Sequence, residues 1–223
     1  MSEKTTAAQA QSFLESQAIC LLFPIRGLPI PSLWEAVKGH QITFDWDDDA
    51  VRIWGWKDAF PLDGIAWYGK LLKAKGTFVA RSALPLLLAA AGRRVGPREY
   101  DRLYRNGILS QDARNVAAWI EEHGPTPTSV LRSQLGGQGK PKVERAMTDL
   151  QRLLLLTHFG TDDRASGWPS AVLELTARAF SETLVAAAEL DPMAARTSVR
   201  DMLRQHAPAI TDREAERMMA WRT

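Results

Sequence analysis

Between residues 109 and 176 the apolar positions keep a helical period three times in succession and then abandon it, and few folds accept that order. Ser110 is an N-cap, Asp112 suits the positive end of a helix, and Ala113, Val116, Ala117 and Ile120 recur at helical spacing until Gly124. A second helix fits "TSVLRSQLGG", capped by Thr128, packed through Val130, Leu131 and Leu135, and turned at Gly136-Gly137. The third runs from Pro141 to Leu154. It buries Val143, Met147, Leu150 and Leu154 and leaves Lys142, Arg145, Thr148, Asp149 and Arg152 outside. "LLLLTHFG" and "GWPSAVLEL" then flank the polar turn "TDDRAS" as two strands.

Helix, helix, turn, helix and hairpin is the order of a winged helix. The expected fold class is therefore mostly α with small β-hairpins (α+β), built from winged-helix units, the clearest at residues 109–176. In such a unit the third helix, here 141–154, enters the major groove of duplex DNA, which is wide enough for one helix with its side chains. From Arg132 to Arg152 five Lys/Arg stand against two Asp/Glu. Arg132, Lys140, Lys142 and Arg152 are candidates for phosphates, and Arg145, Thr148 and Gln151 for base edges. The same bias extends further. Residues 1–64 carry a net −4, residues 65–158 a net +8 and residues 159–223 a net −2, so the middle of the chain is the candidate polyanion surface. Asp162 and Asp163 at the wing tip outweigh Arg164 and oppose a phosphate backbone. A protein-binding role for the same helix remains an alternative.

The first 108 residues read as a separate unit and residues 177–223 as C-terminal helices. In the first unit, helices are expected at Ala7–Ile19 and from Pro31-Ser32 to Gly39. Alternation of Ile42, Phe44 and Trp46, then of Arg52, Trp54 and Trp56, around the acidic run Asp47-Asp48-Asp49 predicts a hairpin, with Trp54 and Trp56 on one face as candidates for stacking an extruded base. "PLDGIAWYGKLLKAKG" predicts a helix, "TFVA" a strand, "SALPLLLAAAG" a buried helix, and "GPREYDRLYRNG" a short helix ended by Asn106-Gly107. Near the C-terminus, Val199, Met202 and Leu203 share one helical face and Met218, Met219 and Trp221 the next. This stretch resembles the first two helices of another winged helix and is a candidate surface for a protein partner or self-association.

Several chemistries find no support. The lone cysteine, Cys20, sits in "AICLLFP" as a small hydrophobe, and His40, His123, His158 and His206 show no metal-ligand spacing, so no metal or other cofactor is expected. Three adjacent aspartates alternate in direction on a strand and rarely converge on one ion. Phosphate-binding glycine loops and the serine-hydrolase elbow are missing from the sequence. Apolar runs are too short to span a bilayer and the N-terminus lacks a signal-peptide pattern, so the expectation is a cytoplasmic protein without a membrane partner.

The segments "IPSLWEAVKG", "VRIWGWKDAFP", "WYGKLLKAKGTFVARSALP", "YDRLYRNGILSQDAR" and "LQRLLLLTHFG" resemble the short, AlkZ-related members of the bacterial winged-helix DNA glycosylase superfamily, best between Ser32 and Gly160. The resemblance implies tandem winged-helix units and a connection with DNA repair or its regulation. The full-length enzymes release alkylated purines and unhook interstrand crosslinks. They carry a Q-x-Q or Q-x-D motif shortly before an "LW" helix. Here "QAQ" at Gln9–Gln11 lies well upstream of Leu33-Trp34, with apolar residues and prolines at the expected position, so that role is not carried over. The reading that follows is a winged-helix protein that binds double-stranded DNA. A glycosylase is the alternative, for which Gln11, Asp45 and Asp58 are the candidate polar residues.

Overall fold

The computed structural model describes residues 5–39, 46–93, 98–163 and 169–219. Its first half is a three-stranded antiparallel sheet between two helical layers. Strands β1 (Ile19–Leu21), β2 (Ala66–Lys70) and β3 (Gly76–Ala80) run in the order β1-β3-β2. Strand alternation sends Cys20, Tyr68 and Phe78 to one face and Ile19, Leu21, Trp67 and Val79 to the other. Helices α1 (Ala7–Gln17), α2 (Leu33–Lys38) and α3 (Asp48–Leu62) cover the first face through Leu14, Leu33, Trp34, Ile53 and Phe60. Helix α4 (Leu84–Ala90) covers the second. It is joined there by α10 (Ser181–Ala188), α11 (Pro192–His206) and α12 (Asp212–Met218), which bury Leu184, Val199, Leu203 and Met218 in the same core. The sheet is too apolar on both faces to tolerate water on either, which accounts for the C-terminal helices folding back onto it.

The second half contains α5 (Glu99–Arg105), α6 (Gln111–His123), β4 (Thr126–Pro127), α7 (Thr128–Leu135), α8 (Lys140–Arg152), β5 (Leu156–Asp162) and β6 (Ser170–Leu175), followed by the short α9 (Thr176–Ala179). Three helices and a hairpin follow one another as the spacing predicts, and the two-residue β4 adds a third strand, giving the antiparallel order β4-β6-β5. Val143, Met147 and Leu150 of α8 pack with Val116, Ile120 and Leu131, the apolar rows the period selects. Leu154 lies beyond the helix, buried in the first core at φ 59°. The tip of the β5–β6 hairpin, with Arg164, lies outside the described residues. Two small antiparallel sheets among many helices make the fold α+β.

The hairpin expected over Ile42–Trp56 is not formed where the chain is described. Asp47 accepts a hydrogen bond from the Ala50 N–H and caps α3, with Asp48 and Asp49 in the first turn, so the acidic run is a helix start. The alternation of Trp54 and Trp56 competes with a row of Ala50, Ile53, Trp56 and Phe60 at helical spacing, and burial follows the row. The helix expected through "PLDGIAWYGKLLKAKG" is likewise replaced. Pro61 and Asp63-Gly64 close α3, and Ala66–Lys70 pairs with Gly76–Ala80 as β2 and β3. Burial of Trp67 on one face and Tyr68 on the opposite one suits a strand with both faces covered, whereas a helix would leave one of them in water. Helix α1 stops at Gln17, because Ala18 leaves helical geometry at φ 60° and Ile19 begins β1. Pro127, not Thr128, is the N-cap of α7, and the Thr128 hydroxyl meets Ser170 Oγ at 2.9 Å.

The two halves meet along the free edge of β2. An edge strand presents unpaired N–H and C=O groups that must be answered. Thr157 Oγ1, on β5, accepts the Tyr68 N–H at 3.2 Å and donates to the Tyr68 carbonyl at 3.1 Å. Gln151 Oε1, on α8, accepts the Lys70 N–H at 2.9 Å. Trp67 Nε1 donates to Thr176 Oγ1 at 3.0 Å. Gly69 permits this approach, since a Cβ there would stand 2.6 Å from the Trp67 ring and 3.3 Å from the Gln151 Cβ. These polar side chains hold the seam and fix what lies beside it.

A cleft between α3 and α8

Beside the seam lies an open cleft of about 1080 Å³. Trp46, Val51, Trp54 and Asp58 from the α3 side, Tyr68 and Lys70 from β2, and Lys75 form one wall. Ser129 and Arg132 of α7, Glu144, Met147 and Gln151 of α8, and His158 of β5 form the other. The cleft therefore joins residues far apart in sequence. Lys57 pairs with Asp58 and Arg132 with Glu144, whereas Lys70 and Lys75 have no carboxylate partner among the described residues. Trp46 and Trp54 are 52% and 37% exposed at the rim, their rings 5.9 Å apart and edge to face. This combination of uncompensated cations and exposed indoles suits a polyanion that also offers flat rings.

One polar cluster is buried in the cleft wall. The Asp58 side chain is 5% exposed and accepts from both sides, from the Lys57 ammonium at Oδ2 and from His158 Nδ1 at Oδ1, the latter at 2.6 Å. A carboxylate can only accept, so Nδ1 carries the proton and Nε2 is the unprotonated nitrogen of the neutral ring. Nε2 has no hydrogen-bond partner among the described residues, and the His158 side chain is 13% exposed, on the cleft. Burial pulls the His158 pKa below its ordinary value, against the opposing pull of Asp58, so the imidazole is neutral at pH 7. Tyr68 stands edge to face against it at 4.8 Å, with its hydroxyl raised in pKa by burial and then by the Asp58 charge. Immediately after His158 the β5–β6 register slips by one residue, and Gly160, at φ 92°, takes up the extra residue. Bulges of this kind re-aim the neighbouring side chain. A neutral imidazole, oriented through one nitrogen and open at the other, can accept a proton from water or a hydroxyl.

The residues expected from sequence divide on this geometry. Asp58 lines the cleft, as does Trp54. Trp56 does not: two positions along a helix is a half turn, and Trp56 is 7% exposed, stacked on Phe60 at 5.6 Å, so it cannot receive a base. Gln11 is exposed on α1 and is not among the cleft residues, and Asp45 falls outside the described residues. Of the α8 set, Lys140, Lys142 and Arg145 are exposed, Arg145 standing 3.8 Å from Asp149. Thr148 is partly covered and donates to the Glu144 carbonyl. Gln151 is 4% exposed, so the expectation that it reaches base edges is corrected: its amide is committed to the edge of β2. Arg152 is partly buried, with Nε enclosed and unpartnered. The reading from residues alone overlooked Lys57, Tyr68, Lys70 and His158. Only the passage of β5 beside α3 brings His158 to Asp58, and no local pattern announces that.

Among the described residues no group of three or more His, Cys, Asp or Glu side chains converges to hold a metal ion, and no helix is long and apolar enough to cross a membrane. Cys20 is buried, and burial raises its thiol pKa, which argues against a reactive role. Compared with known proteins, residues 4–220 match the model of a family described as AlkZ related. No curated protein and no solved structure gives a match.

Proposed function

Since the chain belongs to the AlkZ-related group of the DNA glycosylase superfamily, we propose that it is a glycosylase-like DNA-repair protein that binds duplex DNA and takes an extruded base into the cleft between α3 and α8. The observation that carries this reading is the buried Asp58–His158 pair in the wall of a cleft rimmed by Lys70, Lys75 and two exposed tryptophans. Lys140, Lys142 and Arg145 meet phosphates from the exposed side of α8, and Arg132 does so where α7 borders the cleft. The exposed indoles of Trp46 and Trp54 at the rim offer aromatic surface to a base, worth roughly 1–3 kcal/mol per base.

Hydrolysis of an N-glycosidic bond needs a nucleophile at the sugar carbon and a base that can leave. An alkylated purine carries a positive charge, so the carbon–nitrogen bond breaks with its electron pair passing to the base, which departs neutral. Water attacks the sugar carbon, and His158 Nε2 takes its proton. The imidazolium formed is held against the Asp58 carboxylate, whose charge stabilises it before the proton passes to solvent. Lys57 pairs with the other oxygen of Asp58, and Tyr68 packs edge to face against the imidazole.

The test is a duplex oligonucleotide carrying one 7-methylguanine, with release of the base read as an alkali-labile abasic site. The wild-type protein is expected to release it, and His158→Gln to slow release by about 100-fold or more, the usual worth of a general base, with unchanged affinity for the duplex. A wild-type protein that binds the duplex but releases neither this base nor an alkylated adenine would refute the glycosylase reading and leave DNA binding standing. No measurable duplex binding at low salt would end both.

A further inference from the structure

A second cavity, of about 500 Å³, shares no residue with the cleft. Its walls are mostly apolar, supplied by Leu154, Leu155, Leu175, Leu184 and Val185, where β6 turns into α9 and α10. Arg93, just beyond α4, lines it with a side chain only 8% exposed. Of its guanidinium donors, Nη2 is answered by the Ala91 carbonyl at 2.7 Å, while buried Nε and Nη1 have no hydrogen-bond partner among the described residues. The carboxylate nearest Nη1, Glu99, stands 3.7 Å away and is already engaged at both oxygens by Arg102. Arg102 and Arg196 lie near enough to add positive charge around Arg93. The other charged side chains of the cavity are committed: Arg178 to Glu174, and Glu121 to Arg98 and the Tyr100 hydroxyl.

A buried guanidinium with two donors unanswered among the described residues and like charge beside it is costly unless an anion completes it. Burial, the largest influence, lowers its pKa to about 10, which still leaves it charged at neutral pH. The neighbouring wall rejects a bare hydrated ion because it offers leucines in place of water. We infer that this cavity is a binding site for a small amphipathic carboxylate, its head on the Arg93 guanidinium and its apolar body against Leu155, Leu175 and Leu184. Its volume lies within the range of about 300–1,000 Å³ typical of small-molecule sites. The site does not depend on the function proposed for the cleft.

Octanoate is the probe, with octan-1-ol carrying the same chain without charge and acetate the same charge without the chain. Titrated into the full-length protein by calorimetry and thermal denaturation, octanoate is expected to bind saturably with one site and raise Tm, and the two controls to do neither. Arg93→Gln should weaken octanoate at least tenfold. Val185→Trp, at a position 56% exposed where folding should survive, should narrow the cavity and weaken it as well. Equal affinity of wild type and Arg93→Gln, saturable binding of octanol, or no saturable octanoate binding would each overturn the inference. If Arg93→Gln fails to fold, unaltered binding by Val185→Trp decides against it.

Discussion

His158 Nδ1 and Asp58 Oδ1 stand 2.6 Å apart although 100 residues separate them, and this bond ties the hairpin of one half to α3 of the other. Its consequence for stability has a definite sign. Burial lowers the folded-state pKa of His158 below its ordinary 6.5, so between those two values the unfolded chain binds more protons than the folded one. The contribution is complete above pH 6.5 and is lost as pH falls below it toward the folded value. Denaturant midpoints measured across this range should decline for the wild type, and the difference from His158→Gln should follow the same curve. A difference independent of pH would show that His158 titrates as it does in the unfolded chain.

Asp58 has a separate structural duty. Its partner Lys57 is 8% exposed, with its ammonium 4.5 Å from the centre of the Trp54 ring. Asp58→Asn removes the counter-charge and strands a buried cation, a change that typically costs about 3–5 kcal/mol. Urea denaturation should therefore show Asp58→Asn to be much less stable than wild type, and Lys57→Met with Asp58→Asn to recover part of the loss. An unchanged midpoint for the single variant would mean that water already reaches Lys57.

How far the sequence could be read follows from where each signal resides. Helices α6 to α8 were legible because each keeps a single apolar stripe, reinforced in α6 by the cap Ser110 and the stop Gly124 and clearest in α8 as the Val143–Met147–Leu150 row. Around α3 and β2 they disagree. Trp54 and Trp56 mimic a strand inside a helix, and Trp67 to Leu72 mimic a helix because a strand buried on both faces has no alternation to display. Asp58 could be singled out as polar in an apolar stretch, but its partner could not. Gln151 misled for a related reason: a polar residue on a basic helix looks solvent-facing, and its task at the edge of β2 exists only once the two halves meet.

Gly69 should tolerate nothing larger. A Cβ there stands 2.6 Å from the Trp67 ring, and that ring is fixed by its hydrogen bond to Thr176, so it cannot step aside without losing it. Gly69→Ala is expected to destabilise the protein by about 1–3 kcal/mol, the range for overpacking. It should also raise hydrogen exchange at the Lys70 amide, which Gln151 protects. Wild-type stability with wild-type protection at Lys70 would contradict the close packing of β2 against α8.

The two neighbouring tryptophans of α3 should separate cleanly by assay. Trp56 belongs to the core with Phe60 and Ile53, so Trp56→Ala should cost about 3–5 kcal/mol of stability. Trp54 lies at the cleft rim, so Trp54→Ala should leave most of the stability and weaken binding to a duplex with an extruded or abasic position by about 1–3 kcal/mol. The reverse outcome, with Trp54 controlling stability and Trp56 controlling affinity, would overturn the assignment of faces on α3.

Salt dependence distinguishes phosphate contact by α8 from a role confined to the cleft. Lys142 and Arg145 are both exposed, and neither contributes to the buried apolar row of their helix, so their removal should not disturb folding. Each phosphate neutralised on B-DNA contributes about 0.9 to the slope of log affinity against log salt. Lys142→Ala and Arg145→Ala should each lower the slope by about one unit, and affinity at low salt should fall uniformly across duplex sequences, because phosphate contacts carry no base identity. Arg145 has Asp149 at 3.8 Å, so part of its charge is already answered and its effect should be the smaller of the two. Fluorescence anisotropy with a labelled duplex at several salt concentrations makes the comparison. Unaltered slope and affinity in both variants would remove α8 from the DNA surface and confine recognition to Lys70, Lys75 and Arg132 at the cleft.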